Sequence, residues 1–178
     1  MMKWSEWLER WGMTSLELSA GFLKAKFEPQ DPDRNAAWAL YVELITRVTS
    51  QPLGDAEGDE ETALKSVYSL FPLTREVLKK EGRQGDTFAK LAIPILNQII
   101  RPFTAKWHRL SIEHAFDDPQ NKRQFRAELI LLQAQLNIYI NMLADMAGVE
   151  ELHAQLTSEP AQSSRLSSGA ASASSEDW

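Results

Sequence analysis

Two of the three histidines in this sequence lie among arginines in one short segment, residues 101–118. Arg109 precedes His114 by five positions, and Arg101 precedes His108 by seven. Histidine is the side chain that most often moves protons near neutral pH, and arginine is a strong partner for anionic groups. The same residues also have a structural interpretation, as loop or interhelical histidines and as cations at the end of an apolar helix. This segment favours chemistry more than any other part of the sequence.

The spacing of these pairs resembles the R-x(4–6)-H signature of HEPN domains, helical bundles that are often dimeric and of which many cleave RNA without a metal. The resemblance implies that His114, or His108 in the second pair, transfers a proton at the ribose 2′-hydroxyl or the leaving oxygen. It also implies that Arg109, or Arg101, stabilises charge on the phosphate. The sequence departs from the family pattern after each arginine, where leucine or proline replaces the usual polar residue. A long predicted helix also follows the motif, which in the family usually lies near the end of the last helix.

Other reaction types lack their usual sequence signatures. The chain has no cysteine, which excludes disulfides, thiolate nucleophiles and cysteine-ligated zinc. It contains no GxxxxGK[ST], GxGxxG, GxSxG or HExxH motif, so phosphate-binding loops, hydrolase elbows and zinc-protease helices are not predicted. His114 and the acidic residues around it, Glu113, Asp117 and Asp118, have no spacing typical of a metal site. We therefore predict neither a metal nor a cofactor.

Three tryptophans near the start of the sequence, Trp4, Trp7 and Trp11, share one face of a short predicted helix. Gly12 is a typical residue to end that helix. The tryptophan face either packs on the rest of the domain or docks onto a protein partner. Two glutamates in the helix disfavour a membrane surface, where such helices usually carry Lys and Arg. Trp4, Trp7 and Trp11 are therefore the candidate partner-binding residues.

Apolar residues at helical spacing predict a mostly all-α fold, a bundle of about five helices. The four longer helices each begin beside a residue that can cap a helix, and they start near Asp31, Asp59, Asp86 and Asp118. The last of them keeps a spacing of 3.5 residues up to Gly148, which predicts a seam against a helix of the same bundle or of another copy.

Two features of the sequence interrupt this helical pattern. Prolines inside the third and fourth predicted helices must kink or break them, at Pro72, Pro94 and Pro102. Residues 14–28 fit a strand and a helix about equally well, and Gly21 weakens a helix interior. We expect a short β-hairpin or extended segment there.

The composition predicts one domain, residues 1–156, followed by a disordered Ser/Ala-rich tail, residues 157–178. The last residues, Glu176-Asp177-Trp178, are either a short linear motif or a plain solvated end. A net charge of −6 disfavours non-specific binding to nucleic acid. No apolar run is long enough to cross a membrane, and no secretory signal is recognised, so we expect a cytoplasmic protein.

These observations favour a non-enzymatic helical interaction protein, an adaptor, regulatory or assembly subunit. Its expected partner is another protein or a second copy of the chain, through the tryptophan face or the seam of the last helix. The alternative, from the HEPN resemblance, is a metal-independent ribonuclease of a toxin or antiviral-defence system. RNA is a partner only under that alternative.

Overall fold

The computed structural model describes residues 2–46 and 59–158, and within these ranges the chain is an all-α bundle. The predicted fold class is confirmed. Its α-helices are α1 (Trp4–Arg10), α2 (Ala20–Leu23), α3 (Asp31–Ile45), α4 (Glu60–Tyr68), α5 (Leu70–Glu81), α6 (Asp86–Pro94), α7 (Arg101–Ile112), α8 (Pro119–Ala147) and α9 (Glu150–Ser158). Residues 47–58 and the predicted tail from 159 onward lie outside the described residues, whereas the helix α9 includes residues 157 and 158 of the predicted tail.

The longest helix, α8, forms the centre of the bundle and packs most extensively against α3. The seam predicted from its 3.5-residue spacing is buried along its whole length, and it consists of Phe125, Leu129, Leu132, Leu136, Tyr139, Leu143 and Met146. The partner helix of this seam is therefore in the same chain. None of the helices in the described ranges is long and apolar enough to cross a membrane.

The three interior prolines each lie at a change of helical geometry. The third predicted helix divides into α4 and α5 at Ser69, which places Pro72 in the first turn of α5, where a missing N–H costs little. Between Pro94 and Pro102 the backbone widens into a π-helical stretch, Ile95–Ile100. A wider turn separates the ring of Pro102 from the carbonyl four residues before it.

Glycines follow the C-terminal ends of α1 and α8, as the sequence predicts. Gly12 and Gly148 have φ values of +68° and +74°, the left-handed conformation that glycine adopts at low cost. The start of α6 differs from the prediction, because Asp86 lies inside the helix and pairs with Lys90. The fully buried carboxylate of Asp33, in the first turn of α3, accepts the Phe88 N–H of α6 at 2.9 Å and so caps that helix.

The expectation of a β-hairpin over residues 14–28 is wrong. The segment contains the four-residue helix α2, whose first turn is capped by the side chain of Ser19, and a single antiparallel bridge joins Lys3 to Lys26. Phe22 and Phe27 fold this segment onto Trp4 of α1. The apolar residues of the segment are therefore covered by α1, and no second strand is needed to bury them.

Candidate functional site

An open cleft runs between α4 and the start of α5 on one side and α7 on the other. We call it the α4–α7 cleft. Its larger cavity has a volume of about 480 Å³ and is lined by Glu61, Leu64, Lys65, Tyr68, Ser69, Pro72, His108, Ser111 and Ile112. On α4, Leu64 and Tyr68 lie four residues apart and hence on one face, and His108 and Ile112 do so on α7. The two helices therefore present matching rows of side chains to the cleft.

Large apolar side chains on both walls of the larger cavity stay exposed. Tyr68 on one wall is 57% exposed, and Ile112 on the other is 67% exposed. The Tyr68 ring lies 6.4 Å from the His108 ring and nearly parallel to it, at an interplanar angle of 28°. Single exposed apolar residues are common on proteins, but two that line the same cavity form an apolar surface that is open to a ligand.

A smaller cavity of about 140 Å³ adjoins the larger one and shares Tyr68 and His108 with it. Its other lining residues include two arginines, Arg75 of α5 and Arg101 of α7. Arg101 is held in place, because its Nε donates to Asn97 at 3.0 Å and its guanidinium lies 5.3 Å from the centre of the Phe71 ring. The cleft thus has an apolar end and a cationic end.

The charges in the cleft are unevenly balanced. Lys65 lies 3.8 Å from Glu61, so these two charges offset each other. Within the described ranges, no carboxylate lies within 4.0 Å of the guanidinium of Arg75 or Arg101. The cleft therefore carries an excess of positive charge, although the net charge of the whole chain is −6. Such a surface attracts anionic groups.

The structure brings together one of the two arginine–histidine pairs predicted from the sequence. Arg101 and His108 are two turns apart on one face of α7, and both line the smaller cavity. Arg109 lies on the flank of α7, and His114 lies beyond its end in a left-handed conformation with φ +58°. Neither of these two residues lines either cavity of the cleft.

The tryptophan face of α1 is turned into the protein. Trp4 is 2% exposed and Trp7 is fully buried, whereas Trp11 is only partly covered. The indole nitrogen of Trp7 donates to Asp145 of α8 at 2.5 Å, and that of Trp11 donates to the same carboxylate at 3.3 Å. The sequence left open whether the tryptophan face packs on the domain or docks onto a partner. In the structure, Trp4 and Trp7 pack on the domain. In this conformation they offer no surface to a partner.

Sequence reasoning did not select Tyr68, Arg75 or Ile112 as functional residues. Tyr68 lies at helical spacing from the apolar residues Leu64 and Phe71, and such a pattern predicts a buried position. Its neighbours Leu64 and Val67 take that position, and Tyr68 lies at the edge of the stripe. Ile112 is an isolated apolar residue between Ser111 and Glu113, and this isolation was the available signal that it lies on the surface.

Comparison with known proteins returns no matching family model, no matching curated protein and no matching solved structure. The part of the chain that the structure describes also contains no group of three or more His, Asp or Glu side chains that converge as metal ligands. The α4–α7 cleft combines exposed apolar side chains with the cations Arg75 and Arg101 and is the candidate functional site of this chain.

Proposed function

We propose that this chain is a non-enzymatic helical interaction protein, an adaptor, regulatory or assembly subunit, that binds a protein partner in the α4–α7 cleft. The observation that supports the proposal is the exposure of Tyr68 and Ile112 on the two walls of one cavity. Exposed apolar surface with a polar rim is typical of protein-binding sites. The cytoplasmic location favoured by the sequence is part of this proposal.

The two ends of the cleft define the chemistry of the partner. Apolar side chains of the partner would cover Tyr68 and Ile112, and this burial supplies most of the binding free energy. Carboxylates of the partner would meet Arg75 and Arg101, which sets the register and speeds the encounter. We therefore infer that the occupant is an amphipathic segment of a protein, with one apolar face and acidic residues beside it.

A photo-crosslinking experiment in cells tests this proposal. The photoreactive residue p-benzoylphenylalanine replaces Ile112 in the cleft, and in a control variant it replaces Ile130, which is 62% exposed on α8 and lines neither cavity. We expect adducts from position 112 that are absent from position 130, and mass spectrometry should map them to a segment with apolar and acidic residues. The double substitution Arg75→Glu and Arg101→Glu should reduce the yield about tenfold.

Three results would overturn the proposal. The first is an equal yield from positions 112 and 130, and the second is a yield that the charge reversal leaves unchanged. The third is an adduct formed only with a second copy of this chain, which would replace the protein partner by self-association.

A second function, metal-independent cleavage of RNA, is favoured by a different observation. Arg101 and His108 share one face of α7 and line the same cavity, with Arg75 at its edge. In such a cleft the guanidinium of Arg101 would hold a phosphate, and His108 would move a proton at the ribose or at the leaving oxygen. The exposed ring of Tyr68 beside His108 would offer a surface on which a base can stack.

Cleavage of RNA in the presence of EDTA tests this second function. If it holds, His108→Ala abolishes cleavage and His114→Ala leaves it intact, because only His108 lines the cleft. RNA that stays intact at high protein concentration, or equal cleavage by the two variants, would remove this function.

A further inference from the structure

The α4–α7 cleft has a candidate occupant within the chain itself. An occupant needs an apolar group of some size and negative charge beside it, because the cleft combines exposed Tyr68 and Ile112 with the cations Arg75 and Arg101. Apart from Met1, two parts of the sequence lie outside the described residues, 47–58 and 159–178. The first contains no aromatic residue. The second contains one aromatic residue, Trp178, directly after Glu176 and Asp177.

We propose that the segment Glu176-Asp177-Trp178 occupies the α4–α7 cleft of its own chain and that a protein partner must displace it. The indole of Trp178 lies against Tyr68 and Ile112, and the two carboxylates face Arg75 and Arg101. This inference rests on the proposed function, because both treat the cleft as a surface that binds a peptide. It adds regulation, since the segment acts as an internal competitor.

The size of the cavity is suited to this occupant. A cavity of about 480 Å³ lies within the range of ordinary ligand pockets, roughly 300–1,000 Å³. A buried aromatic side chain removes about 150–250 Å² from water, and an edge-to-face or offset contact with the Tyr68 ring adds to that gain. Tyr68 and Ile112 would lose their exposure when the segment binds.

The length of the chain allows the contact. The helix α9 ends at Ser158, and an extended segment from there to Trp178 reaches up to about 70 Å. A domain of this size has a diameter of about 40 Å, so every part of its surface is within reach. A tethered segment of this kind has an effective concentration on the order of 1 mM, which makes even a weak contact effective.

The first arm of the test uses the purified full chain with p-benzoylphenylalanine in place of Ile112. We expect an intramolecular adduct between position 112 and the peptide that contains residues 176–178. The control with the photoreactive residue in place of Ile130 should not form this adduct. The double substitution Arg75→Glu and Arg101→Glu should reduce the yield about tenfold. An adduct that lacks residues 176–178, an equal yield from the control, or an adduct confined to a dimer fraction would overturn the proposal.

The second arm measures the binding of a fluorescently labelled synthetic peptide of residues 170–178 to the full chain. The variant Trp178→Ala, which lacks the internal competitor, should bind the peptide about tenfold more tightly than the unmodified chain does. That factor corresponds to an effective concentration near 1 mM and a peptide affinity near 0.1 mM. Equal binding by the two proteins would overturn the proposal. If the purified chain forms no internal adduct but position 112 captures an acidic amphipathic partner in cells, only this inference fails. If neither adduct forms, the proposed function fails as well.

Discussion

Trp7 on α1 is fully buried, whereas Tyr68 on α4 is 57% exposed, although each lies on a helix face with other apolar residues. Two differences separate these regions. The segment that carries Phe27 folds over α1 and stacks on Trp7 at 4.1 Å, whereas the described residues leave the outer face of Tyr68 open. The polar atom of Trp7 also has an internal acceptor, Asp145. Burial of a large aromatic residue thus depends on a cover for its ring and a partner for its polar atom.

A second buried tryptophan also donates its indole N–H to a carboxylate of α8, in the N-terminal half of that helix. The fully buried Trp107 of α7 donates its indole N–H to Glu128 at 2.9 Å. Lys106 binds the same carboxylate. Desolvation by burial raises the pKa of Glu128, but the hydrogen bonds from Lys106, Gln124 and Trp107 together outweigh it, so the pKa is lowered. The carboxylates of Glu128 and Asp145 therefore fix α7 to the N-terminal half and α1 to the C-terminal end of the central helix. Among the described residues no carboxylate accepts a hydrogen bond from the Tyr68 hydroxyl, which suits a surface that binds and releases a ligand.

The largest effect predicted by this comparison concerns the two aromatic rings. Trp7→Ala should lower the free energy of unfolding by about 3–5 kcal/mol, because it empties a fully buried site. Tyr68→Ala should lower it by no more than about 1.4 kcal/mol, because the described residues leave that ring mostly exposed and the tail segment proposed to cover it contributes only about a tenfold binding factor. Urea denaturation followed by circular dichroism measures both. A cost for Tyr68→Ala as large as that of Trp7→Ala would show that its ring is packed as firmly as a buried one.

The second-largest effect concerns Asp145, which accepts the hydrogen bond from the indole of Trp7. Asp145→Ala should lower the free energy of unfolding by about 2 kcal/mol, because it leaves the buried N–H of Trp7 without an acceptor. Glu9→Ala, at an exposed position of α1, is the control and should have an effect of less than about 0.5 kcal/mol. If the two variants unfold at the same urea concentration, Asp145 is not the anchor of α1.

Features that depend on neighbouring residues could be predicted from the sequence, whereas contacts between distant residues could not. The seam of α8 and the glycine stops at Gly12 and Gly148 follow from local spacing and backbone conformation, so they could be predicted. The cap of α6 could not, because Asp33, which supplies it, lies 55 residues away from Phe88 along the chain. The β-hairpin was expected for a related reason. The helix that covers Phe22 and Phe27 is α1, and the local sequence of residues 14–28 does not contain that contact.

The candidate site was predictable only in part. Arg101 and His108 were selected from the sequence because their residue types and spacing resemble the arginine–histidine signature of HEPN domains. Arg75, Tyr68 and Ile112 join them only when α4 and α5 pack beside α7, and no local pattern contains that contact. The tryptophans of α1 illustrate the reverse case, because a face of three indoles indicates a surface for packing but does not identify what packs against it.

A third prediction tests whether a buried aromatic residue needs a partner for its polar atom. The hydroxyl of Tyr41 lies 3.3 Å from Nδ1 of His153, whereas the buried hydroxyl of Tyr139 has no hydrogen-bond partner among the described residues. Burial raises the pKa of Tyr139, which therefore stays neutral. Tyr41→Phe should lower the free energy of unfolding by about 1 kcal/mol, and Tyr139→Phe should leave it unchanged or raise it. A larger cost for Tyr139→Phe in urea denaturation would reveal a partner for that hydroxyl.

The smallest effect concerns the charge near Asp145, the carboxylate that accepts the hydrogen bond from Trp7 of α1. A hydrogen bond to Asp145, desolvation and the repulsion of that carboxylate raise the pKa of Glu150, and Arg10 partly opposes this shift. The folded protein therefore holds this proton more tightly than the unfolded chain does. Its contribution to stability is complete below about pH 4, the usual pKa of glutamate, and is lost as the pH rises through the raised value.

Glu150→Gln keeps a hydrogen-bond donor toward Asp145 and removes the titration. Its melting temperature should equal that of the unmodified chain near pH 4 and exceed it at pH 7, because only the unmodified chain then has two charged carboxylates beside Trp7 and Trp11. Glu151→Gln, at the next position of α9, serves as the control and should show no such difference. In an Asp145→Asn background the gain should disappear. If the gain in melting temperature persists in the Asp145→Asn variant, the repulsion on Glu150 comes from a group other than Asp145.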